Sequence, residues 1–365
     1  MIMKRTSLFL SCFLSVMAVM TSCTPDPQPM PEVVSIGKGV FVINEGVFTY
    51  ASSSLTFYNY ETDTVSNNLF YRVNGAPIGD VGQSLALLDG KLYIVVNNSN
   101  YIYKVDANTI VCDTTQPYML TDFSSPRYML PVAPNKAYVS DLASTQLWIV
   151  NPQDMTHTGS IDMGKSTETM VQVGQEVYVA NWSRAYIQGM ENTSVQVIDI
   201  NNDVKVAEIP VGMEPNGMVV DKNGMIWVLC EGDSYDYMAD VPSTLWKINP
   251  MTKESTLVVT FEKKALNLAI DVTGKYLYYV YGGNWSVGGD LRRASIDDPT
   301  AEDDFIIPAE GRLFYKVFVN PANGDIYLSD SKDYTMAGEV YRYSSDGVLL
   351  SSFKAGICPG FMLFN

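Results

Sequence analysis

Apolar and polar positions alternate along this chain in short bursts, and no long stretch carries a helical period. Seven bursts share one form, a turn followed by an apolar strand with an aromatic at its second or third position. They are Val40-Phe41-Val42, Leu92-Tyr93-Ile94, Ala137-Tyr138-Val139, Val177-Tyr178-Val179, Ile226-Trp227-Val228, Leu277-Tyr278-Tyr279 and Ile326-Tyr327-Leu328. Successive aromatics stand 40 to 52 residues apart. That period suits propeller blades and is too long for leucine-rich or ankyrin repeats.

A second landmark follows each one, an alternating strand that ends on a short polar residue. These strands begin at Leu55, Ile102, Leu147, Val195, Leu245, Leu291 and Val340, and end at Asn59, Asp106, Asn151, Asp199, Asn249, Ser295 and Ser344. Asx and Ser side chains bond the backbone two residues on and so open a tight turn. Asp89-Gly90, Asn223-Gly224, Thr273-Gly274 and Asn323-Gly324, each just before a first landmark, are turns of hairpin type.

Two landmarks in the same order seven times predict an all-β fold, a seven-bladed β-propeller with strands A to D running outward in each blade. The first copy starts at a B strand, Gly39–Gly46, with no A strand ahead of it. At the far end, Cys358-Pro359-Gly360-Phe361-Met362-Leu363-Phe364 resembles the A-strand openings Glu214-Pro215-Asn216-Gly217-Met218-Val219 and Ser125-Pro126-Arg127-Tyr128-Met129-Leu130. The C-terminal strand is therefore expected to pair with the N-terminal strand in blade 1, closing the ring and hiding its strand edges.

Composition fits one such unit, with 47% hydrophobic residues for a core and 23 tyrosines favouring strands. The net charge of −16 repels phosphate backbones and anionic lipid, which argues against nucleic acid and leaves membrane contact to a covalent anchor. The spacing of Cys112, Cys230 and Cys358 fits neither a disulfide nor a zinc framework, so they read as buried free thiols.

Residues 1–22 read as a lipoprotein signal peptide. Lys4 and Arg5 precede an apolar run that ends in Met20-Thr21-Ser22-Cys23 and is too short to span a bilayer. The motif resembles the bacterial lipobox, which implies cleavage before Cys23 and acylation of that residue. Residues 23–36 are expected to be the lipidated Cys and a Pro-rich tether, because Pro25, Pro27, Pro29 and Pro31 favour an extended spacer. The propeller is then expected over residues 37–365.

Blade 4 reads Val177-Tyr178-Val179-Ala180-Asn181, Val195-Gln196-Val197-Ile198-Asp199 and Ile209-Pro210-Val211-Gly212-Met213-Glu214-Pro215-Asn216-Gly217-Met218. It resembles the YVTN-type repeat of YncE-like propellers. More particular are Phe41-Val42-Ile43-Asn44-Glu45-Gly46, Phe70-Tyr71-Arg72-Val73-Asn74-Gly75, Gly79-Asp80-Val81-Gly82-Gln83-Ser84 and Ser125-Pro126-Arg127-Tyr128. With the lipobox, these resemble the surface lipoprotein propellers of Bacteroidetes. One branch of that group, BtuG-like, captures corrinoids such as cobalamin and hands them to a TonB-dependent transporter. The resemblance implies the topology and, as leads, a corrinoid-like ligand, such a transporter as partner, and an outer membrane lipoprotein exposed at the cell surface.

In a propeller the B–C and D–A loops share one face. The B–C loops of blades 1, 4, 5, 6 and 7 are long: Asn44–Ser54, Asn181–Ser194, Glu231–Thr244, Gly282–Asp290 and Asp330–Glu339. Long loops on a rigid scaffold tend to carry function, and these are rich in aromatic and amide groups. Trp182 and Trp285, in the matching tripeptides Asn181-Trp182-Ser183 and Asn284-Trp285-Ser286, either clamp a ring system or pack beneath their own loops. Asn44, Asp141, Asn181 and Asp330 fall three residues past a landmark aromatic and either ring the axis or bond loop backbone. Arg127, beside Tyr128 at the head of an A strand, either meets an anionic group of a ligand or is a salt-bridged structural residue. Tyr235, Tyr237 and Tyr334 are further loop contacts.

For catalysis the chain offers little. Its single histidine, His157, falls on the opposite face, which disfavours a Ser–His–Asp triad. Glu45, Glu231, Asp233 and Asp236 are the carboxylates that a glycosidase would pair. No cofactor or metal is expected. The leading expectation is a non-catalytic surface protein capturing a small-molecule nutrient, with a carbohydrate-active enzyme or a protein-binding adhesion scaffold as alternatives.

Overall fold

The computed structural model describes residues 32–114, 117–118, 123–182, 192–232, 241–284, 286–301 and 303–365. The signal peptide, Cys23 and most of the tether lie outside these residues. The described part is a seven-bladed β-propeller of antiparallel sheets. The innermost strands, A, are Gly82–Leu88, Pro126–Ala133, Met170–Val173, Pro215–Val220, Ala265–Ile270 and Phe314–Val319 in blades 2 to 7, and Pro359–Phe364 in blade 1. Six sheets have four strands. Blade 2 has three, and Cys112 and Tyr118 stand at its outer edge as isolated bridges to Val105 and Ile102.

Both sequence landmarks have a structural cause. The first is the B strand, buried on both faces: Gly39–Asn44 is buried at every position. All seven landmark aromatics are at most 2% exposed. Several fasten one blade to the next through their polar tips. Tyr93 donates its hydroxyl to Pro152 O at 2.8 Å, Tyr178 to Pro250 O at 3.3 Å, and Tyr138 to Asp203. Each acceptor lies in the C–D turn of the following blade, so an aromatic buried for its area also binds its neighbour by a directed bond. The second landmark is the polar end of the C strand. Asn59 accepts from Glu61 N–H at 2.9 Å, Asn151 from Gln153 N–H at 3.0 Å, Asp199 from Asn201 N–H at 2.7 Å and Asn249 from Met251 N–H at 2.9 Å. These are the expected Asx turns. Ser344 departs from the pattern, accepting from Val348 N–H four residues on.

Closure joins the two expected strands. Val40 pairs with Phe364, Phe41 with Leu363, Val42 with Met362 and Ile43 with Phe361, and Asn44 then meets Pro359. Proline is tolerated there because the first residue of a strand need not donate to the ladder. Stacking of Tyr58 on Phe353 (4.4 Å) and an edge contact of Tyr327 on Phe364 (5.1 Å) complete the seam between blades 7 and 1.

Two features lie outside the repeat. A short helix, Leu69–Asn74, connects blades 1 and 2 and buries Leu69, Phe70 and Val73. Arg72 on this helix forms a two-bonded ion pair with Glu32, and Val34 and Ile36 pack on the core beside it. Residues 32–36 of the expected tether are thus laid against the propeller. Of the three thiols, Cys230 and Cys358 are buried, but Cys112 is only half-buried at the ragged edge of blade 2.

Deleting residues 358–365 should abolish cooperative melting. Met362→Asp, which places a carboxylate at a site 2% exposed, should cost about 3–5 kcal/mol. Urea unfolding measures both, and a wild-type midpoint for either would refute closure through this strand.

Candidate functional site

Every blade carries an irregularity at the same place, where its A strand meets its B strand at the loop face. The register skips Gln83 in blade 2, Arg127 and Tyr128 in blade 3, Asn216 in blade 5, Asn267 and Leu268 in blade 6, Tyr315 in blade 7 and Gly360 in blade 1. In blade 4, Glu168 and Thr169 both bond Ala180. A β-bulge of this kind breaks the strict alternation of faces and re-aims a side chain. Here it turns Gln83, Arg127, Tyr128, Glu168, Asn216, Asn267 and Tyr315 to the mouth of the central channel, where they line a cavity of about 430 Å³.

Blade 1 has a glycine at this place. A Cβ on Gly360 would stand 2.3 Å from Glu45 Oε1, so the B–C loop of blade 1 supplies the missing side chain from above. The backbone entering the bulges is left-handed at three equivalent non-glycine residues, Val81 (φ 58°), Glu214 (φ 56°) and Cys358 (φ 53°). Such conformations persist only where the surroundings enforce them, and they cluster at functional sites.

The ring of side chains is joined laterally. Arg127 donates Nε and Nη2 to the Glu168 carboxylate at 2.8–3.0 Å and Nη1 to Gln83 Oε1 at 2.6 Å, which links blades 2, 3 and 4. Burial opposes the guanidinium charge, but Glu168 more than offsets it and raises the Arg127 pKa. The Arg127 guanidinium also lies 5.6 Å above the Trp182 ring. The Trp182 indole N–H points to Glu231 Oε2 at 3.3 Å, and Asn216 Nδ2 donates to Glu231 Oε1 at 2.9 Å. Burial raises the Glu231 pKa, against the opposing pull of the Lys316 charge and of these two donors. Asn267 donates to Tyr315 O at 2.5 Å, and the Tyr315 hydroxyl donates to Glu45 Oε1 at 2.8 Å. Burial and the Glu45 charge hold the Tyr315 phenol well above its ordinary pKa, so it is a neutral donor.

The sequence-predicted residues divide into three groups. Glu45, Arg127, Tyr128, Trp182, Asn284 and Tyr334 line the cavity together. Asn44, Asn181 and Asp330 do not line it. They are at most 1% exposed and tie loop ends together: Asn44 donates to Ser54 O, Asn181 to Ser166 O, and Asp330 accepts from Leu313 and Lys332 N–H. Asp141 does the same for Ser124 and Ser125. Tyr235, Trp285 and Cys23 lie outside the described residues, as do Asp233, Asp236 and Tyr237. Gln83, Glu168, Asn216, Lys264, Asn267, Tyr315 and Lys316 complete the site and were not singled out as contacts. His157 lies in the D strand of blade 3, away from the cavity.

The profile of a family described as a domain of unknown function, DUF5074, matches residues 38–356. This chain belongs to that family. No curated protein sequence matches it. Among solved structures, this DUF5074 chain is similar to a quinonprotein alcohol dehydrogenase-like protein from Bacteroides thetaiotaomicron (16% identity, TM-score 0.67, covering 91% of this chain and 79% of that one). It is similar also to apo AztD from Citrobacter koseri (9% identity, TM-score 0.54, covering 91% and 99%). A third is virginiamycin B lyase from Staphylococcus aureus (11% identity, TM-score 0.56, covering 74% and 83%). At such identities the likeness is one of fold.

Two measurements probe the network of this DUF5074 propeller. Arg127→Met strands a Glu168 carboxylate that is 1% exposed and should cost about 3–5 kcal/mol, while adding Glu168→Leu should restore much of the loss. Separately, Glu231 has a folded-state pKa above its ordinary 4.5. The folded protein therefore keeps a proton that the unfolded chain has released, and stability falls as pH rises from that value through the raised one. Glu231→Gln should raise the melting temperature relative to wild type at pH 8 and not at pH 4. An equal shift at both would refute the raised pKa.

Proposed function

We propose that this protein is a non-catalytic binding propeller that captures a small molecule at the mouth of its channel. We propose further that Cys23 anchors it to an outer membrane, exposed at the cell surface, and that it passes its ligand to a TonB-dependent transporter. One observation carries the binding reading: all seven blades place a side chain at the mouth of one cavity, six through bulged residues and blade 1 through Glu45. The volume of about 430 Å³ lies within the range of pockets for small ligands. Fixed donors and acceptors from all seven blades converge there, and loop residues Phe48, Asn284 and Tyr334 stand beside them. Such preformed polarity in a half-apolar cleft favours binding over an open solvent channel.

The lipobox and the likeness to surface lipoprotein propellers support the location, and the BtuG-like branch makes a corrinoid the first ligand to try.

A second reading is favoured by one feature. Glu45 and Glu231 line the same cavity, and Glu231 has a raised pKa, as a general acid for glycosidic cleavage requires. Release of nitrophenol from a panel of nitrophenyl glycosides by wild type and not by Glu231→Gln would favour it over capture.

For capture, protein mixed with cobinamide or cobalamin and then desalted should carry the coloured ligand with it. Otherwise, another small molecule at about 100 times its Kd should stabilise the fold by about 2.7 kcal/mol. Tyr334→Ala should weaken either ligand about tenfold. Absence of both co-elution and any thermal shift across a metabolite panel would overturn capture.

A further inference from the structure

The charged groups at the mouth are not equally occupied. Arg127 and Glu168 neutralise one another in a buried pair. Lys264 donates its ammonium to Glu231 O at 2.9 Å and Val241 O at 3.3 Å. Glu231 accepts from Trp182 and Asn216, and Glu45 from Tyr315. Lys316 differs from all of these. Its backbone is fixed by the Ser329 hydroxyl at 3.0 Å, but its ammonium makes no hydrogen bond or ion pair among the described residues. It rests 5.0 Å from the centre of the Tyr315 ring, on the cavity wall.

A half-buried ammonium with no direct partner, acting on the Glu231 carboxyl only through its charge, can take an anion on the cavity wall. The surfaces around it are aromatic. Tyr315 meets Tyr334 edge-on at 5.8 Å, and Phe48, 61% exposed, stands on the B–C loop of the adjacent blade 1. Rings of this kind favour a flat, apolar partner.

The geometry points to a small ligand built of a flat ring and one carboxylate, the ring against Tyr334 and Phe48 and the carboxylate on the Lys316 ammonium. This inference rests on the capture reading and names the chemical class of its ligand. It also assigns a limit. The long-range field of the chain repels anions, so the preference must come from close contact and be short-ranged.

The test uses three probes that share one ring and differ in charge: indole-3-acetate, indole-3-acetamide and tryptamine, titrated calorimetrically into the protein. Indole-3-acetate should bind about tenfold more tightly than the amide, the worth of one hydrogen-bonded charge pair, with tryptamine weakest. Lys316→Met should bring the acetate to the level of the amide and leave the amide unchanged. Added salt should weaken the acetate alone. Equal binding of acetate and amide, tightest binding by tryptamine, or a preference that survives Lys316→Met overturns the inference and leaves capture standing. No saturable binding by any of the three also overturns it, and capture is then judged by co-elution and thermal shift.

Discussion

The ladder between Pro359–Phe364 and Gly39–Asn44 is the constraint on which the mouth depends. In a propeller each blade packs only on its two neighbours, so the A strands keep their mutual distances through the closed circumference and the side-chain bonds between adjacent blades at the mouth. Opening the seam would expose two edges and let the inner strands spread. The seam is also part of the site, since Tyr315 of blade 7 bonds Glu45 of blade 1 across it, and Glu45 fills the place that Gly360 vacates. Closure and cavity thus share residues, and a change at the seam is felt at the mouth.

Within the closed ring the bulges set the chemistry. A regular antiparallel pair sends alternate side chains to the two faces of the blade, into the packing between blades. An extra residue has no place in that alternation, and at the inner end of the strand the channel is the space open to it. Repeating the device in every blade collects polar side chains around one opening without interrupting the apolar contact between blades. It has a cost in backbone strain, seen in the left-handed Val81, Glu214 and Cys358. For a β-branched residue such as Val81 that conformation is rare, and its presence marks a position held by its surroundings.

The same device explains what the sequence made legible. Strand B and C landmarks could be read because each has a period of two and a turn chemistry of its own, as Asn59 and Asp199 show. The closing strand could be read from the shared opening around Pro126, Pro215 and Pro359. Long loops pointed to the right face, and Glu45, Arg127, Tyr128, Trp182, Asn284 and Tyr334 meet there. For Asn44, Asn181 and Asp330 the choice stayed open in the sequence because a polar residue at a strand end reads the same whether it bonds loop backbone or faces the axis. Glu168, Asn267 and Tyr315 were missed because a bulge shifts the face by one residue, and alternation alone cannot reveal a shift. The residue after the shared proline carried a usable signal: Arg127, Asn216 and Gly360 occupy one position in three blades.

The three carboxylates of the mouth show why position outweighs net charge. Glu168 meets a guanidinium, Glu231 an amide and an indole, and Glu45 a phenol. Each is stabilised by a donor of different strength, so the cavity of a chain with charge −16 is not a uniform negative well. Trp182 sits between two of these arrangements, its face under Arg127 and its N–H toward Glu231. An indole held on both its face and its edge belongs to the wall and is not a free clamp. The aromatic contact available to a ligand therefore falls to Tyr334 and Phe48, which stand on the loops of adjacent blades 7 and 1, on the same side of the mouth as Lys316.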